Sequence, residues 1–265
     1  MRSNKWHIHI EFNRALLAAA SMALLVGATS AGRAETVSLH AVADGRIFPT
    51  APDTANDNQH LAVYTSGSTI QRSVIQFDLG SLPAGFLVES ATLTLTSDTL
   101  GGGYTNSGGL AMEVYRLTQS WVEGQVTAND RDWGSNGVND FPGDDHPWNT
   151  LGGDYVGTSD AADVDPYASS NVTGIGDVPI TWDVTQLVGE WYTGASANHG
   201  VLLRSYDGNK LHFCSSEHSS GNGPVLSVTL VPEPSTCILL AAGLIGLAAC
   251  AWRRKKSRQR PLAGD

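Results

Sequence analysis

The 265-residue chain predicts an all-β fold: an antiparallel β-sandwich of jelly-roll type with one short helix, followed by a C-terminal transmembrane helix. Three observations predict it. Several short runs alternate apolar and polar residues with period two. Clusters of Gly, Pro, Asn and Asp separate those runs, as turns require. One stretch alone in the central region, near 183–194, carries the 3.6-residue period of an amphipathic helix. Many short strands without regular intervening helices belong in a sandwich.

The elements follow in order. Val37–Val42 and Leu61–Tyr64 open the domain. Ser73–Leu79 sets Ile75, Phe77 and Leu79 on one side. In Ala91–Thr96, Ala91, Leu93 and Leu95 share a face and threonines line the other. Leu110–Leu117, Val201–Arg204 and Lys210–Cys214 are shorter strands. Val225–Leu230 turns Leu226, Val228 and Leu230 inward. For the helix, Asp183 is placed as N-cap with Gln186 three residues on, a capping-box spacing. Val184, Leu187, Val188 and Trp191 form its apolar stripe, and Gly194 is placed to end it. Trp191 therefore reads as core.

Charge divides the chain into three zones. Residues 1–34 carry four bases and one acid, and residues 232–265 six bases and two acids. Residues 35–231 carry 23 acids and 6 bases, a balance of −17. That balance excludes a nucleic-acid-binding domain, which must neutralise phosphates. The N-terminal zone reads as a signal peptide: a basic flank, the apolar run Ala15–Ala28, then small residues, with cleavage after Ala31 or Ala34. An uncleaved anchor is the alternative. Cys214 is the only cysteine of the central region, so that region forms no internal disulfide.

At the other end Pro232-Glu233-Pro234 leads into the apolar run Thr236–Trp252, and Arg253-Arg254-Lys255-Lys256 follows. Seventeen residues is the lower limit for a spanning helix, and the basic cluster would stay cytoplasmic. This order resembles the PEP-CTERM sorting signal of Gram-negative bacteria that make exopolysaccharide. The resemblance implies an exosortase-type membrane protease as partner, a transient inner-membrane insertion, tail removal, and delivery to the cell surface or extracellular matrix. Its sorting residues map to Pro232, Glu233, Pro234, Arg253 and Arg254. A plain C-terminal anchor is the alternative. The expected domains are thus 1–34, 35–231 and 232–265, with the membrane helix at 236–252.

The stretch from Thr118 to Asp177 shows no strand alternation. It is too long for one structureless loop, so it is either functional or folded over the sandwich. Between Asn129 and Pro166 it holds nine aspartates against one base, Arg131. Carboxylates in flexible loops suit Ca²⁺, although no twelve-residue EF-hand loop is present. Asp140, Asp144, Asp145 and Asp154 are the candidate ligands here. Asp44, with Asp53 and Asp57, is a second cluster near the domain start. A solvated acidic surface is the competing reading.

Trp121, Trp133, Trp148, Tyr155 and Tyr167 lie in or beside the same stretch. Exposed rings there would stack on sugars, which makes Trp133, Trp148 and Tyr155 candidate ligand contacts. Anchoring the long loop is the alternative role. A polyacidic glycan would be repelled over a Debye length of about 8 Å unless Ca²⁺ or a local basic patch intervenes. Catalytic signals are weak. No Gly-x-Ser-x-Gly elbow or phosphate-binding glycine loop occurs, and His212 and His218 around Cys214 have neither zinc nor Cys/His nucleophile spacing.

Further motifs occur in order: Arg72-Ser-Val-Ile-Gln-Phe-Asp-Leu, Leu82-Pro-Ala-Gly, Val88-Glu-Ser-Ala-Thr-Leu-Thr-Leu, Val114-Tyr-Arg-Leu-Thr-Gln-Ser-Trp-Val-Glu-Gly, Trp148-Asn-Thr-Leu-Gly-Gly-Asp, Trp182-Asp-Val-Thr-Gln-Leu-Val and Gly200-Val-Leu-Leu-Arg. Together they resemble the DNRLRE domain, a β-sandwich module of secreted proteins, some relatives of which bind carbohydrate. Near its end that family carries an Arg before a Glu; here Ser216 precedes Glu217. The expectation is a non-enzymatic exported surface or matrix protein. Its sandwich binds exopolysaccharide or another matrix glycan and no nucleic acid, with structural Ca²⁺ as the one cofactor. A coat protein without ligand and a polysaccharide-active enzyme are the alternatives.

Overall fold

Alternation decides where the strands lie. The computed structural model describes residues 33–55, 59–98, 110–134, 138, 145–157, 165–172, 176–206, 210–233 and 243–252. Among them, residues 34–231 form one unit and the two ends of the chain another. The unit's strands are β1 (Glu35–Ile47), β2 (His60–Ser66), β3 (Thr69–Phe77), β4 (Phe86–Thr96), β5 (Leu110–Leu117), β6 (Asp130–Asp132), β7 (His146–Pro147), β8 (Tyr155–Val156), β9 (Ala168–Val172) and β10 (Pro179–Asp183). Helix α1 (Thr185–Thr193) follows, then β11 (Val201–Ser205), β12 (Leu211–Cys214) and β13 (Val225–Pro232). Every strand expected from the sequence is present. The all-β class holds, and the pairs run antiparallel.

The sheet order is β10-β4-β13-β1-β3-β11-β5-β8, with β2 joining β3 to β12 and β9 on β5. The long strand β1 makes this a single path. Its first half, Glu35–His40, pairs with β13; its second half, from Ala41, pairs with β3. The register shifts between Ala41 and Ala43, and the extra residue, Val42, points to solvent. A bulge of this kind bends a strand and lets it change partner. Ser97, just past β4, bridges Phe213 of β12. The pairing therefore closes on itself through β4, β13, β1, β3, β2 and β12.

One core fills this wrap. Ala91, Leu93 and Leu95 of β4 and Leu226, Val228 and Leu230 of β13 are buried in it, facing Ile75, Phe77, Val201, Leu203 and Phe213. Trp182 is the largest fully buried side chain. It packs edge-on to Phe213, and its indole N–H donates to the Met112 carbonyl over 3.0 Å. Such a polar tip needs a partner when buried. Leu187, Val188 and Trp191 of α1 lie against the same core.

The helix start differs from expectation. The N-cap position is Val184, and no side chain caps it directly. Asp183 instead accepts the backbone N–H of Thr185 at 3.0 Å and its hydroxyl at 2.5 Å, and these bonds lower its pKa. Gln186 donates to Glu190 rather than closing a capping box. Gly194 ends the helix at φ 74°, as placed.

In the tail, residues 243–252 are helical. Ten residues rise about 15 Å, half of the roughly 30 Å hydrocarbon layer. The expected spanning helix at 236–252 is therefore not found: among the described residues no helix is long and apolar enough to cross a membrane. Residues 236–242 lie outside the described set, as do Pro234, Arg253 and Arg254.

Two glycines separate torsional from steric constraint. Gly194 and Gly200 both have positive φ, but a Cβ on Gly194 meets open space, whereas one on Gly200 would lie 2.3 Å from the Ile75 carbonyl oxygen. Gly194→Ala is expected to cost about 1 kcal/mol in urea unfolding. Gly200→Ala is expected to cost at least twice as much, because β3 must move; equal costs would contradict the close approach.

Candidate functional site

The sheet formed by β1, β3, β11 and β5 is apolar on both faces at one end. Register places Ile47 beside Arg72, Leu202 beside Val74 and Tyr115, and Arg204 beside Glu113. Paired residues share a face, and this face points away from the main core. Ile47, Val74, Leu202 and Leu117 would be exposed if left bare. They form instead a second core with Trp121, Val126, Ala128 and Trp148. The segment after β5 is thus folded over the sheet.

Its latches are specific. The Trp121 indole N–H donates to the His199 carbonyl at 3.0 Å, and that of Trp148 to the Thr127 carbonyl at 3.1 Å. The Asp154 carboxylate accepts the Gln119 amide at 2.6 Å and the backbone N–H groups of Asn149 and Thr150 at 2.7 and 2.8 Å. Three such bonds occupy most of its lone pairs. Trp148, 6% exposed, sits inside the cover.

Beyond the cover the same face turns aromatic and cationic. Arg204 of β11 lies 3.9 Å from the ring centre of Tyr206, 5.5 Å from that of Tyr155 and 5.9 Å from that of Tyr115. The Tyr155 hydroxyl accepts a hydrogen bond from Arg204. Arg72 of β3 stands 5.4 Å from the centre of the same Tyr155 ring and donates to the Gly152 carbonyl at 2.7 Å. Tyr115 packs edge-on to Tyr155 and donates to Glu113. Burial is the main cause of the raised Tyr115 pKa. Tyr206 is 52% exposed. Of the sequence candidates, Tyr155 belongs to this platform; Arg72, Arg204 and Tyr206 were missed. They are far apart in the chain, and only strand pairing joins them.

A second group is acidic. Asp44, Glu123 and Glu217 bring one carboxylate oxygen each within 4.8 Å of one another. Asp44 is 1% exposed. Its backbone N–H donates to Glu123 at 2.8 Å, and its carboxylate accepts the Ser216 N–H at 2.7 Å. Burial, then the charge of Glu217, push its pKa up to about 7; the Ser216 bond works in the opposite direction.

The remaining candidates are dispersed. Asp145 is buried near Asp130, whose pKa is raised by burial and then by Asp145 and Asp53. Asp140, Asp144 and Asp57 lie outside the described residues. Trp133 is half-buried beneath Gln125, which accepts its backbone N–H.

An all-β module with an arginine–tyrosine sheet face is the class that fold and site define. The chain belongs to the Disaggregatase related repeat domain family, which matches residues 44–228. Residues 230–255 match the PEP-CTERM protein-sorting motif. That motif marks the chain for exosortase processing and for export to the cell surface by a membrane-associated route. No curated protein matches the chain.

Asp44 carries a pH signature. Its folded pKa of about 7 exceeds the ordinary 3.8, so the folded state holds a proton that the unfolded chain releases. In EDTA, its contribution to stability is full below about pH 4 and is lost as pH rises through 7. The slope from this one group is at most about 1.4 kcal/mol per pH unit. Urea titrations of wild type and Asp44→Asn should differ by that loss; parallel pH profiles would contradict it.

Proposed function

We propose that residues 34–231 are a non-catalytic glycan-binding module, set at the cell surface by the sorting tail, whose partner is exopolysaccharide or another matrix glycan. The arginine–tyrosine face carries this reading. An exposed ring offers a rigid stacking surface, and a guanidinium takes hydroxyl or carboxylate oxygens in a planar fork. Two of the domain's six bases, Arg72 and Arg204, lie on that one face. In a domain of balance −17, an acidic sugar chain meets attraction there and repulsion over the rest of the surface. The resemblance to DNRLRE modules, β-sandwiches of secreted proteins some relatives of which bind carbohydrate, supports the same reading.

The carboxylate group takes Ca²⁺ in a structural role. Hard oxygen ligands at this density suit that ion. In the resembled pattern an arginine stands at position 216 and brings a positive charge; Ser216 brings none to the three acids. A divalent cation supplies the missing charge. Hydrolysis by the same group is disfavoured by spacing. Glycosidase carboxylates stand about 5–9.5 Å apart around the scissile bond, whereas these lie within 4.8 Å and Asp44 is sealed from solvent.

Affinity electrophoresis of the full chain in detergent through acidic and neutral polysaccharide gels tests the binding. Retardation is expected, stronger in the acidic gels, and at least 10-fold weaker for Arg204→Ala and Tyr206→Ala. No retardation in any gel, or retardation unchanged in both variants, would overturn the assignment. For the cation, millimolar Ca²⁺ should abolish the loss of thermal stability as pH rises through 7 in wild type and fail to do so in Glu217→Gln. A calcium response that survives Glu217→Gln would place the ion elsewhere.

A further inference from the structure

Where the strand pairing closes on itself, three side chains from distant segments converge. His60 opens β2, Asp98 follows β4, and His218 lies in the turn after β12. Their ligand atoms, the two imidazole nitrogens and one carboxylate oxygen, all lie within 4.8 Å of one another. Asp98 Oδ2 contacts His60 Nδ1 directly and lies 3.7 Å from His218 Nε2. We propose that His60, Asp98 and His218 form a zinc site.

The donor chemistry selects the ion. Two imidazoles and one carboxylate are the ligand set of a borderline metal, whereas calcium takes oxygen alone. Three protein ligands leave a fourth position for water. Tetrahedral zinc at about 2.1 Å from each ligand needs ligand atoms roughly 3.4 Å apart. His218 already stands near that separation from Asp98, whereas His60 must draw back from its direct contact with Asp98.

The surroundings fix the ligands. The ring of His218 is held through Nδ1, which lies 2.6 Å from Ser220 Oγ and accepts the Ser220 N–H at 3.2 Å. Ser220 Oγ accepts the Asn222 N–H at 3.2 Å and points its own hydrogen toward Cys214 Sγ. These contacts orient the ring and leave Nε2 as the atom turned toward Asp98. The turn is pinned in place: His218 N–H donates to the Ser215 carbonyl and Ser215 N–H to the Gln59 carbonyl, next to His60. The Asp98 N–H donates to the His212 carbonyl. His212 packs 6.1 Å from His60, and burial, then Lys210, hold its pKa down to about 4, so it adds no positive charge to the site at neutral pH.

The consequence is a staple. The ligands join β2, the end of β4 and the turn before β13, beside the Ser97–Phe213 bridge that closes the strand ring. Loops of that length are costly to close, and an ion that binds only the folded arrangement stabilises it.

The test uses the full chain in detergent, stripped with EDTA and titrated with zinc alone, with metal counted by mass spectrometry and affinity taken from calorimetry. One zinc per chain is expected, with a Kd on the order of 1 µM or tighter and a rise in melting temperature. His60→Ala and His218→Ala should each weaken binding at least 100-fold, while His146→Ala, an exposed histidine paired with Asp132, leaves it unchanged. Should either ligand variant fail to fold, cobalt added to wild type gives an independent reading through the visible bands of a four-coordinate ion. No stoichiometric zinc in wild type, absent cobalt bands, or binding that survives the His60/His218 double variant would overturn the site. Loss of binding on replacing the tail cysteines Cys237 and Cys250 by serine would overturn it equally.

Discussion

The sheet of β1, β3, β11 and β5 must be buried on both faces, and the rest of the site depends on that constraint. Ile75, Val201 and Leu203 face the main core, while Val74, Leu202 and Leu117 face away from it. Each such side chain left in water forgoes roughly 1.5–3 kcal/mol of burial. A lone sandwich offers no partner for the outward set, so the segment after β5 folds back to provide one. Trp121 and Trp148 supply the bulk, and Asp154 ties the segment's ends. The described residues of the aspartate-rich stretch, from Trp121 to Asp154, thus form a cover.

The cover reaches only part of the face, and function is assigned to what it leaves open. Past Leu202 the next outward residue of β11 is Arg204, and Tyr155, at the margin of the cover, leans on it. The change from apolar to cationic along one strand takes a single alternation, two residues. The sheet that anchors the cover thereby also holds the platform rigid, since its four strands are fixed on their inner face by the main core. The bulge in β1 makes this possible by carrying one strand from β13 to β3.

Much of the fold was legible because most strands have one wet face. Ala91-Thr-Leu-Thr-Leu-Thr and Val225–Leu230 alternate cleanly, and their burial follows the pattern residue by residue. Strands β9 and β10 were not read. Ala168–Val172 is short and polar, with only Val172 fully buried, and its strand character comes from pairing with β5. Pro179–Asp183 does alternate, with Ile180 and Trp182 inward, but five residues running straight into a helix give too short a window. The site was less legible for a topological reason. Asp44 was found through its charge, yet its partners Glu123 and Glu217 come from other ends of the chain. The aromatic candidates were judged by residue type, and only the fold separates Trp148, locked under the cover, from Tyr155 at its edge.

In the proposed function, glycan lies on the uncovered half of this one face. Hydrogen–deuterium exchange of the full chain, with and without a polysaccharide that retards it, tests this most directly. New protection is expected to be confined to Arg204–Tyr206 of the β11 end, to β8 and to the neighbouring part of β5, with the main-core strands β4 and β13 unchanged. Protection centred on β4, β10 and β13, with none around Arg204 and Tyr155, would contradict it.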